Sequence, residues 1–362
     1  MPFGLSSQTM TNLTETLKNT DPTDVVICWV DGSDPHHQQK MTPFLKNIKR
    51  SSIPGAHPTR FASVNEIRYC VLSVLTFASF VRNIYIVTDE QDPGVHDDVK
   101  KYFPERLQSV KIVDHKEIFR GYEKYLPTFS SRAIESMIWR IEGLADNFIY
   151  LNDDVFLIRD TRKEDFFLNE RPVLRGSWCF DQYLRLSWKK LQGRVHKYLL
   201  GNKNFQSRSS FHLVQWMSAS YLGMKWKYFY MDHTPHPLNR KAAGNFFMKN
   251  KIMLEKNLEY RFKNHRQYNF ISLQYHHELL HGNKHIVKPA LAYLQPCKRS
   301  ENYLERKIRL CEKNDKIKFL CIQSMEICGK DQQKKVFDWL DHLIGLKPGV
   351  TSRIKDKNQL MS

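Results

Sequence analysis

The chain has 362 residues, of which 41% are hydrophobic and 26% are charged, a composition typical of a globular protein with one large domain or two ordinary ones. No run approaches the roughly 18 to 20 apolar residues that are needed to span a bilayer. Residues 1–20 lack the basic start and apolar core of a signal peptide. We therefore expect a cytoplasmic protein. We also expect its seven cysteines, none of them in a CxxC pair, to be reduced.

The positive charge is concentrated in the second half of the chain. The formal net charge is +18, and residues 171–362 hold 36 Lys and Arg against 14 Asp and Glu. Such a surface predicts an anionic partner, which could be nucleic acid, an anionic membrane leaflet or a polyanionic substrate. A merely solvated basic surface is the plain alternative. The sequence contains neither a paired Cys/His zinc-finger motif nor an RNP-type aromatic motif, so no specific motif favours nucleic acid.

Short apolar runs bounded by polar or turn residues recur along the first half, and runs of this kind are typical of buried strands. Helical patterns alternate with these runs. The alternation predicts an α/β sheet with several parallel strands. The predicted strands are residues 25–30, 84–88, 110–113, 148–151 and 155–158.

Three helices are predicted from caps and apolar spacing. Ser63 and Glu66 have the spacing of a capping box, and apolar residues follow them at helical intervals to residue 78. A serine pair at residues 130–131 precedes a second helical pattern over residues 134–144. The third pattern begins at residue 331 and ends near Gly345.

The most informative motif is Asn-Asp-Asp at residues 152–154, directly after a predicted strand. Open α/β sheets bind ligands at the carboxyl ends of their strands, and carboxylates there suit Mg²⁺ or Mn²⁺ that bridges to substrate phosphates. The alternative is an Asx-type turn that closes a hairpin into residues 155–158. Asp31 and Asp89 follow two other predicted strands. We therefore expect the three groups to form one acidic crevice.

Two histidine motifs carry further hypotheses. Residues 232–237, Asp-His-Thr-Pro-His-Pro, form a loop that its prolines make rigid, and its histidines suit acid–base work or phosphate contact. In isolation, structural or exposed histidines are the more common case. Residues 277–281 satisfy HExxH, the zinc-protease pattern. No clear second helix follows it, so a zinc hydrolase is only an alternative.

Taken together, these segments resemble the Stealth family, which contains bacterial capsular polysaccharide phosphotransferases and the catalytic subunit of eukaryotic N-acetylglucosamine-1-phosphotransferase. Residues 24–35 are similar to the first family signature. Blocks between residues 60 and 154 match the long second signature. Residues 233–240 with 261–263 resemble the third, and residues 318–322 are weakly similar to the fourth.

The resemblance implies an enzyme that moves hexose 1-phosphate, expected to be N-acetylhexosamine 1-phosphate, from a UDP-sugar to a sugar hydroxyl, with release of UMP. The acceptor would then attack the sugar-linked phosphorus, and the product would be a phosphodiester-linked capsular polysaccharide. Mg²⁺ or Mn²⁺ is the implied cofactor. The implied partners are the UDP-sugar, an anionic capsule oligosaccharide, the inner leaflet of the plasma membrane and capsule assembly proteins. A metal-dependent glycosyltransferase that releases UDP and a non-catalytic polyanion-binding protein are the alternatives.

Carried over residue by residue, the resemblance implies catalytic roles for Glu135, Asp154 and His233. Asp153 and Asp154 would bind the metal. Lys263 stands where the family usually has arginine, which keeps the charge but loses the bidentate geometry, so a neighbouring arginine could substitute. The implied substrate-binding residues are Trp29, Asp31, Asp34, Arg68, Asn152, Arg261, Lys263 and Arg266.

The expected architecture is a Rossmann-like, glycosyltransferase-A-like sheet, mostly parallel, with helices on both faces. A basic, α-rich C-terminal half would complete the active site. The expected organisation is a disordered segment at residues 1–20, a nucleotide-sugar-binding α/β core at 21–165, a basic and aromatic-rich part of the catalytic domain at 166–345, and a flexible tail at 346–362.

Overall fold

The computed structural model describes residues 21–45, 55–57, 61, 63–198 and 210–346. The segment 1–20, predicted to be disordered, and nearly all of the predicted tail lie outside these ranges. Among the described residues, no helix combines the length and apolar character that crossing a membrane requires. All seven cysteines are free thiols, as predicted.

A five-stranded sheet with the order β10-β4-β1-β2-β3 forms the centre of the fold. The pairs β4-β1, β1-β2 and β2-β3 are parallel, and β10 runs antiparallel to β4. This arrangement confirms the predicted mostly parallel α/β sheet. The strands are β1 Thr23–Cys28, β2 Val81–Thr88, β3 Val110–Asp114, β4 Asn147–Asn152 and β10 His236–Asn239.

Alternate side chains of the central strands enter two hydrophobic cores, because successive residues of a strand point to opposite faces. Val25 and Ile27 of β1 belong to one core, and Val26 belongs to the other. Helices cover both faces, as predicted. The helices are α1 Pro35–Met41, α2 Glu66–Phe77, α3 Val95–Tyr102, α4 His115–Ile118, α5 Ser131–Glu135, α6 Tyr183–Tyr198, α7 Phe211–Tyr221, α8 Arg240–Lys249, α9 Lys251–Leu258, α10 Phe270–Leu280, α11 Glu301–Lys313 and α12 Lys330–Ile344.

The second half adds smaller sheets to its helices. One has the order β12-β13-β5, another has the order β11-β8-β9, and β6 pairs with β7. These strands are β5 Val155–Leu157, β6 Phe167–Leu168, β7 Arg171–Pro172, β8 Leu174–Phe180, β9 Lys227–Met231, β11 Ile286–Val287, β12 Leu291–Leu294 and β13 Phe319–Ile322.

The predicted capping box at Ser63 is wrong, although the predicted helix is present. Helix α2 begins at Glu66 after Asn65, which has the left-handed φ of 74° and makes no side-chain cap. The Glu66 carboxylate instead accepts a hydrogen bond from the backbone N of Val64 at 2.7 Å. Glu66 therefore contacts residues that precede the helix, and its side chain is buried.

The predicted helix over residues 134–144 is also wrong. Helix α5 ends at Glu135, and a short 3₁₀ turn over Ile138–Arg140 follows it. Side chains take the carbonyls at this point: the indole N–H of Trp139 donates to Ser136 O, and the Ser136 hydroxyl donates to Arg132 O. Most of the apolar residues that suggested a longer helix are buried nevertheless, namely Met137, Ile138, Ile141 and Leu144, and Ile134 is half-buried.

The hairpin alternative for residues 152–158 is wrong as well. Strand β5 does not pair with β4. It pairs antiparallel with β13, with Val155 opposite Cys321. The turn at residues 153–154 therefore passes the chain from the central sheet to a second sheet.

Asp24 forms a buried polar junction at the start of the central sheet. Its carboxylate, which is fully buried, accepts hydrogen bonds from Arg82 Nε and Nη2 at 2.9 and 2.6 Å. It also accepts from the backbone N atoms of Asn83 and Ala145. One side chain thus ties β1 to β2 and to the segment that leads into β4.

Replacement of Asp24 by alanine is expected to lower the free energy of unfolding by about 2 to 4 kcal/mol, because two buried backbone donors lose their acceptor. Urea denaturation at pH 7 measures the change. The matched control is Arg120→Ala, which removes an exposed ion pair with Glu142 and should change stability by less than about 0.5 kcal/mol. Equal effects of the two substitutions would contradict the role given to Asp24.

The buried ring of His236 predicts a pH-dependent stability. Burial lowers its pKa to about 3, with His233 and Arg175 adding to the shift. The unfolded chain therefore binds a proton below about pH 6.5 that the folded chain excludes, so stability falls as pH drops from 7 to 5, by about 2 kcal/mol from this residue. His236→Gln should flatten the dependence by that amount. The exposed His36 supplies the control, His36→Gln, which should leave the dependence unchanged.

Candidate active site

The predicted acidic tripeptide lies at the carboxyl end of β4, between the ends of β1 and β10. Asn152 is the last residue of β4 and pairs with Cys28 of β1. Its side-chain oxygen accepts a hydrogen bond from the Tyr150 hydroxyl at 2.9 Å. Asp153 and Asp154 form the following turn, and the carbonyl of Asp154 accepts from Ile322 N at 3.0 Å. The carboxylates therefore occupy the ligand-binding edge of the sheet, as predicted.

Three carboxylates act on one another at this edge. Burial raises the pKa of Asp153 well above its usual value, and the charges of Asp154 and Glu66 raise it further. Burial raises the pKa of Asp154 to about 7, with Glu66 again contributing, while a hydrogen bond from Cys321 acts in the opposite direction. The pKa of Glu66 is raised by its own burial. The three carboxyl groups therefore oppose one another's ionisation in the absence of a bound cation.

Lys263 supplies positive charge to the same place. It lowers the pKa values of Asp153, Asp154 and Glu135, against the larger effect of their burial. Lys263 follows Phe262, which forms a bridge with Phe129. A chain segment more than a hundred residues after β4 thus brings a cation to the end of this strand.

Glu135 reaches the site from the last residue of α5. Its carboxylate accepts hydrogen bonds from Ser131 Oγ at 2.9 Å and from Asn269 Nδ2 at 3.1 Å, and the Tyr150 hydroxyl lies 3.4 Å away. Burial raises the pKa of Glu135, which Lys263 partly offsets. Its contacts fix the orientation of the carboxylate beside the strand that carries the aspartates.

His233 enters from the loop between β9 and β10. Its ring stacks on Phe211 at 4.6 Å between ring centroids and lies 5.8 Å from Tyr293. The amide of Gln323 approaches both ring nitrogens at 3.5 Å. Burial lowers the pKa of His233 to about 4, and the charge of Lys263 lowers it further. The ring is therefore neutral at pH 7 in this state of the protein.

The predicted nucleotide end is arranged around Gln91. Its side-chain amide donates to Asp31 O at 2.8 Å and to Asp34 Oδ2 at 2.7 Å. Asp34 caps α1 through His36 N. These hydrogen bonds, that of Gln91 first, lower the pKa of Asp34. The indole N–H of Trp29 donates to Ser63 Oγ at 3.4 Å.

Asp89 does not join the acidic tripeptide. It lies 3.1 Å from Lys40 Nζ and 4.0 Å from a ring nitrogen of His37. The single crevice expected from three strand ends is therefore divided, and a neighbouring polar network holds Asp89.

The arginines predicted to bind substrate have other contacts. Arg68 makes a bidentate pair with Asp98, at 2.7 and 2.9 Å, and its Nη1 lies 3.5 Å from Asp341. Arg261 donates to the carbonyls of Pro127 and Lys124 at 2.8 and 2.9 Å. The side chain of Arg266 is exposed. Of the three cationic positions in the 261–266 segment, Lys263 is the one whose charge acts on the acidic tripeptide.

The HExxH residues lie at the end of α10. The rings of His277 and His281 are 4.2 Å apart, and the Glu278 carboxylate accepts from Asn283 Nδ2 at 3.2 Å. Across the described ranges, no three or more His, Cys, Asp or Glu side chains are grouped to hold a metal. The zinc hypothesis gains no support from this arrangement.

The residues of the tripeptide nevertheless fit a divalent cation that is held partly by substrate. Asp154 Oδ1 is buried and has no hydrogen-bond partner among the described residues. A cation bound beside these carboxyl groups would stabilise their ionised forms, which burial and neighbouring charges disfavour. Because Mg²⁺ is usually bound by one or two carboxylates together with water and phosphate oxygens, two protein ligands are sufficient.

Sequence reasoning missed several members of this site. Glu66 was interpreted only as part of a cap, although Ser63 at the correct spacing drew attention to it. Tyr293 contacts the ring of His233, and burial raises the pKa of its hydroxyl to about 12, with Cys321 and Asp154 contributing. The side-chain oxygen of Gln323, Oε1, accepts a hydrogen bond from this hydroxyl at 2.6 Å. A lone tyrosine and a lone glutamine carry no signal in a single sequence.

Comparison with known families identifies two matched regions. The model described as Stealth protein CR1, conserved region 1, matches residues 21–49, and the model described as Stealth protein CR2, conserved region 2, matches residues 60–173. These ranges cover β1, the strands up to β7 and the acidic tripeptide. The third and fourth signatures, around His233 and residue 320, stay predictions.

Several curated proteins are similar to this chain over less than half of its length. A capsular polysaccharide phosphotransferase of Actinobacillus pleuropneumoniae is 40% identical over 153 residues, which is 42% of this chain and 40% of that protein. One from Neisseria meningitidis serogroup B is 37% identical over 163 residues, 44% of this chain and 41% of that protein. An exopolysaccharide phosphotransferase of Streptomyces coelicolor is 41% identical over 40% of this chain and 25% of its own length. The match thus spans less than half the length of these relatives.

Among solved structures, galactosyltransferase LgtC with donor and acceptor sugar analogues is 10% identical with a TM-score of 0.41, covering 92% of this chain and 99% of that one. Mouse xyloside xylosyltransferase 1 is 11% identical with a TM-score of 0.35, covering 83% and 97%. Likenesses at these TM-scores are too distant to bear on the chemistry. The sequence matches are the informative ones: residues 21–49 and 60–173 are similar to conserved regions 1 and 2 of Stealth proteins.

Proposed function

We propose that this protein is a metal-dependent sugar-1-phosphate transferase. It would move hexose 1-phosphate, in particular N-acetylhexosamine 1-phosphate, from a UDP-sugar to a sugar hydroxyl and so build a phosphodiester-linked capsular polysaccharide. The observation that supports this most is that the charge of one residue, Lys263, acts on Asp153, Asp154, Glu135 and His233. The similarity of part of the chain to capsular polysaccharide phosphotransferases supports the reaction class.

In the proposed reaction, the acceptor oxygen forms a bond to the sugar-linked phosphorus. The bond from this phosphorus to the bridging diphosphate oxygen breaks, and UMP leaves with the electron pair. A divalent cation held by Asp153 and Asp154 would neutralise charge on the diphosphate. Lys263 would stabilise the phosphoryl oxygens as their charge redistributes. The reaction needs no oxidant and no second nucleotide.

We propose that His233 accepts the proton that the acceptor hydroxyl loses. The ring is neutral at pH 7, so a ring nitrogen is available to accept a proton. A bound diphosphate would bring negative charge beside the ring, which favours its protonated form and raises its pKa toward the working pH. Glu135, fixed by Ser131 and Asn269, would hold Lys263 in place through its charge.

The partners and location follow the same proposal. The UDP-sugar would lie along the end of β1, near Trp29, Asp31 and Asp34. The surplus of basic residues after residue 170 would hold the anionic capsule chain. The protein would work in the cytoplasm at the inner face of a plasma membrane, with capsule assembly proteins nearby.

The nucleotide that is released tests the proposed reaction. With UDP-N-acetylhexosamine, Mg²⁺ or Mn²⁺ and capsule oligomers, we expect UMP, since the attacked atom is phosphorus. Chromatography of the products separates UMP from UDP. UDP would identify a glycosyltransferase instead, and the absence of turnover with any UDP-sugar would favour a binding protein. Asp154→Asn should lower kcat/KM at least about 100-fold, whereas the exposed control Asp97→Asn should not.

Lys263 can be tested by separating its charge from its shape. Lys263→Gln should lower kcat about 100-fold or more, because one positive charge at the phosphoryl group is lost. Lys263→Arg keeps this charge and should retain activity within about tenfold. Steady-state kinetics with the same donor measures both, and the exposed control Lys249→Gln should match the unmodified enzyme. Equal losses for the glutamine and arginine variants would contradict an electrostatic role.

A further inference from the structure

Helix α6 presents an apolar stripe to solvent. Leu184, Trp188 and Leu191 are spaced by four and three residues, which places them on one face of the helix. The exposed fractions of these three side chains are 89%, 60% and 50%. Tyr198, about two helical turns after Leu191, is 73% exposed. An amphipathic helix in a globular protein normally buries such a stripe. Here the stripe faces outward.

The opposite side of α6 is already packed. Leu186 contacts a small core formed by residues of α7 and β9, and the ring of Tyr183 meets Trp216 edge-on at 4.7 Å. Rotation of the helix to bury its outer stripe would therefore expose this core. The outward stripe is a stable property of the packing.

The neighbouring sheet extends the same surface. Phe180 at the end of β8 is 86% exposed, and Trp226 beside it is 76% exposed. The backbone N of Asp181 donates to Trp226 O at 2.9 Å, and the Trp226 ring lies 6.2 Å from the ring of Tyr183 in the first turn of α6. We call Phe180, Leu184, Trp188, Leu191 and Trp226 the aromatic face.

The charge around the aromatic face is positive. The 16 residues of α6 include five Lys or Arg and no Asp or Glu. Arg185 and Lys227 are exposed, and Lys227 Nζ lies 4.7 Å from the ring centroid of Trp178. A second copy of the chain would bring two such positive surfaces together, which repulsion opposes. An anionic partner is complementary.

The kinds of apolar residue distinguish between anionic partners. Sugar rings stack on aromatic faces, but an exposed leucine at position 184 offers nothing to stack on. Leucine, phenylalanine and tryptophan beside lysine and arginine are the composition of helices that lie in the membrane interface, with the apolar side chains among the acyl chains and the cations at the headgroups. We propose that the aromatic face docks on the surface of an anionic phospholipid bilayer, with α6 parallel to the membrane plane.

Docking of the aromatic face would also set the position of the candidate active site relative to the membrane. Phe211 at the start of α7 stacks on His233, and Arg185 donates to Ser210 Oγ at 3.0 Å. Helix α6 therefore contacts Ser210, directly before the start of α7 that packs against the histidine loop. This inference does not depend on the proposed reaction, because it concerns a surface whose contacts are independent of turnover.

Co-sedimentation of the full chain with vesicles tests the inference. We expect binding to vesicles of phosphatidylcholine mixed with phosphatidylglycerol, weaker binding to phosphatidylcholine alone, and loss of the difference at high salt. Leu184→Glu with Trp188→Glu should lower the partition coefficient about tenfold or more, because two apolar side chains no longer leave water. Arg185→Gln with Lys227→Gln should weaken binding only to the anionic vesicles.

The control pair is Met248→Glu with Ile252→Glu. Met248 and Ile252 are 70% and 74% exposed but lie on α8 and α9, so this variant should bind vesicles as the unmodified protein does. Circular dichroism and the urea midpoint show that each variant is folded. Failure to bind anionic vesicles, or equal losses in both glutamate pairs, would overturn the inference. A dimer that dissociates only in the Leu184 and Trp188 variant would assign the aromatic face to self-association instead.

Discussion

The structure of the site depends on one electrostatic constraint: the side chains of Glu66, Asp153 and Asp154 lie close enough for the charge of one to act on another. Each carboxylate raises the cost of ionising another, and burial adds to that cost for all three. Lys263 offsets part of it. The remaining imbalance supports the proposal that this site takes a cation together with a phosphate-containing ligand.

The same constraint explains why the two halves of the chain are interleaved. The first half supplies the carboxylates, and the second half supplies His233 and Lys263. Strand β10 joins the edge of the central sheet next to β4 with His236 opposite Tyr150, which directs the histidine loop toward the aspartates. Strand β13 pairs with β5 on the other side of the turn. The proposed catalytic groups therefore come from both halves of the chain.

The sequence was a good guide where one local signal decided the structure. Apolar runs gave the parallel strands, and residues 152–154 gave the carboxylates at a strand end. It failed where individual side-chain contacts or distant strand pairing decided: side-chain donors bind the carbonyls around Glu135, β5 pairs with β13, and Lys40 pairs with Asp89. Resemblance supplied Glu135, His233 and Lys263, which periodicity alone does not mark. Glu66 was missed because its spacing from Ser63 already had a simpler explanation.

The junction between the two sheets has a mechanical consequence for the aspartates. On one side Asn152 is fixed by its pairing with β1, and on the other the Asp154 carbonyl is held by Ile322. The backbone between these anchors has little freedom, so the two carboxyl groups cannot easily move apart when they ionise. The protein thus meets this electrostatic cost during folding. An incoming donor would find the ligands already in position and would lose little energy in rearranging them.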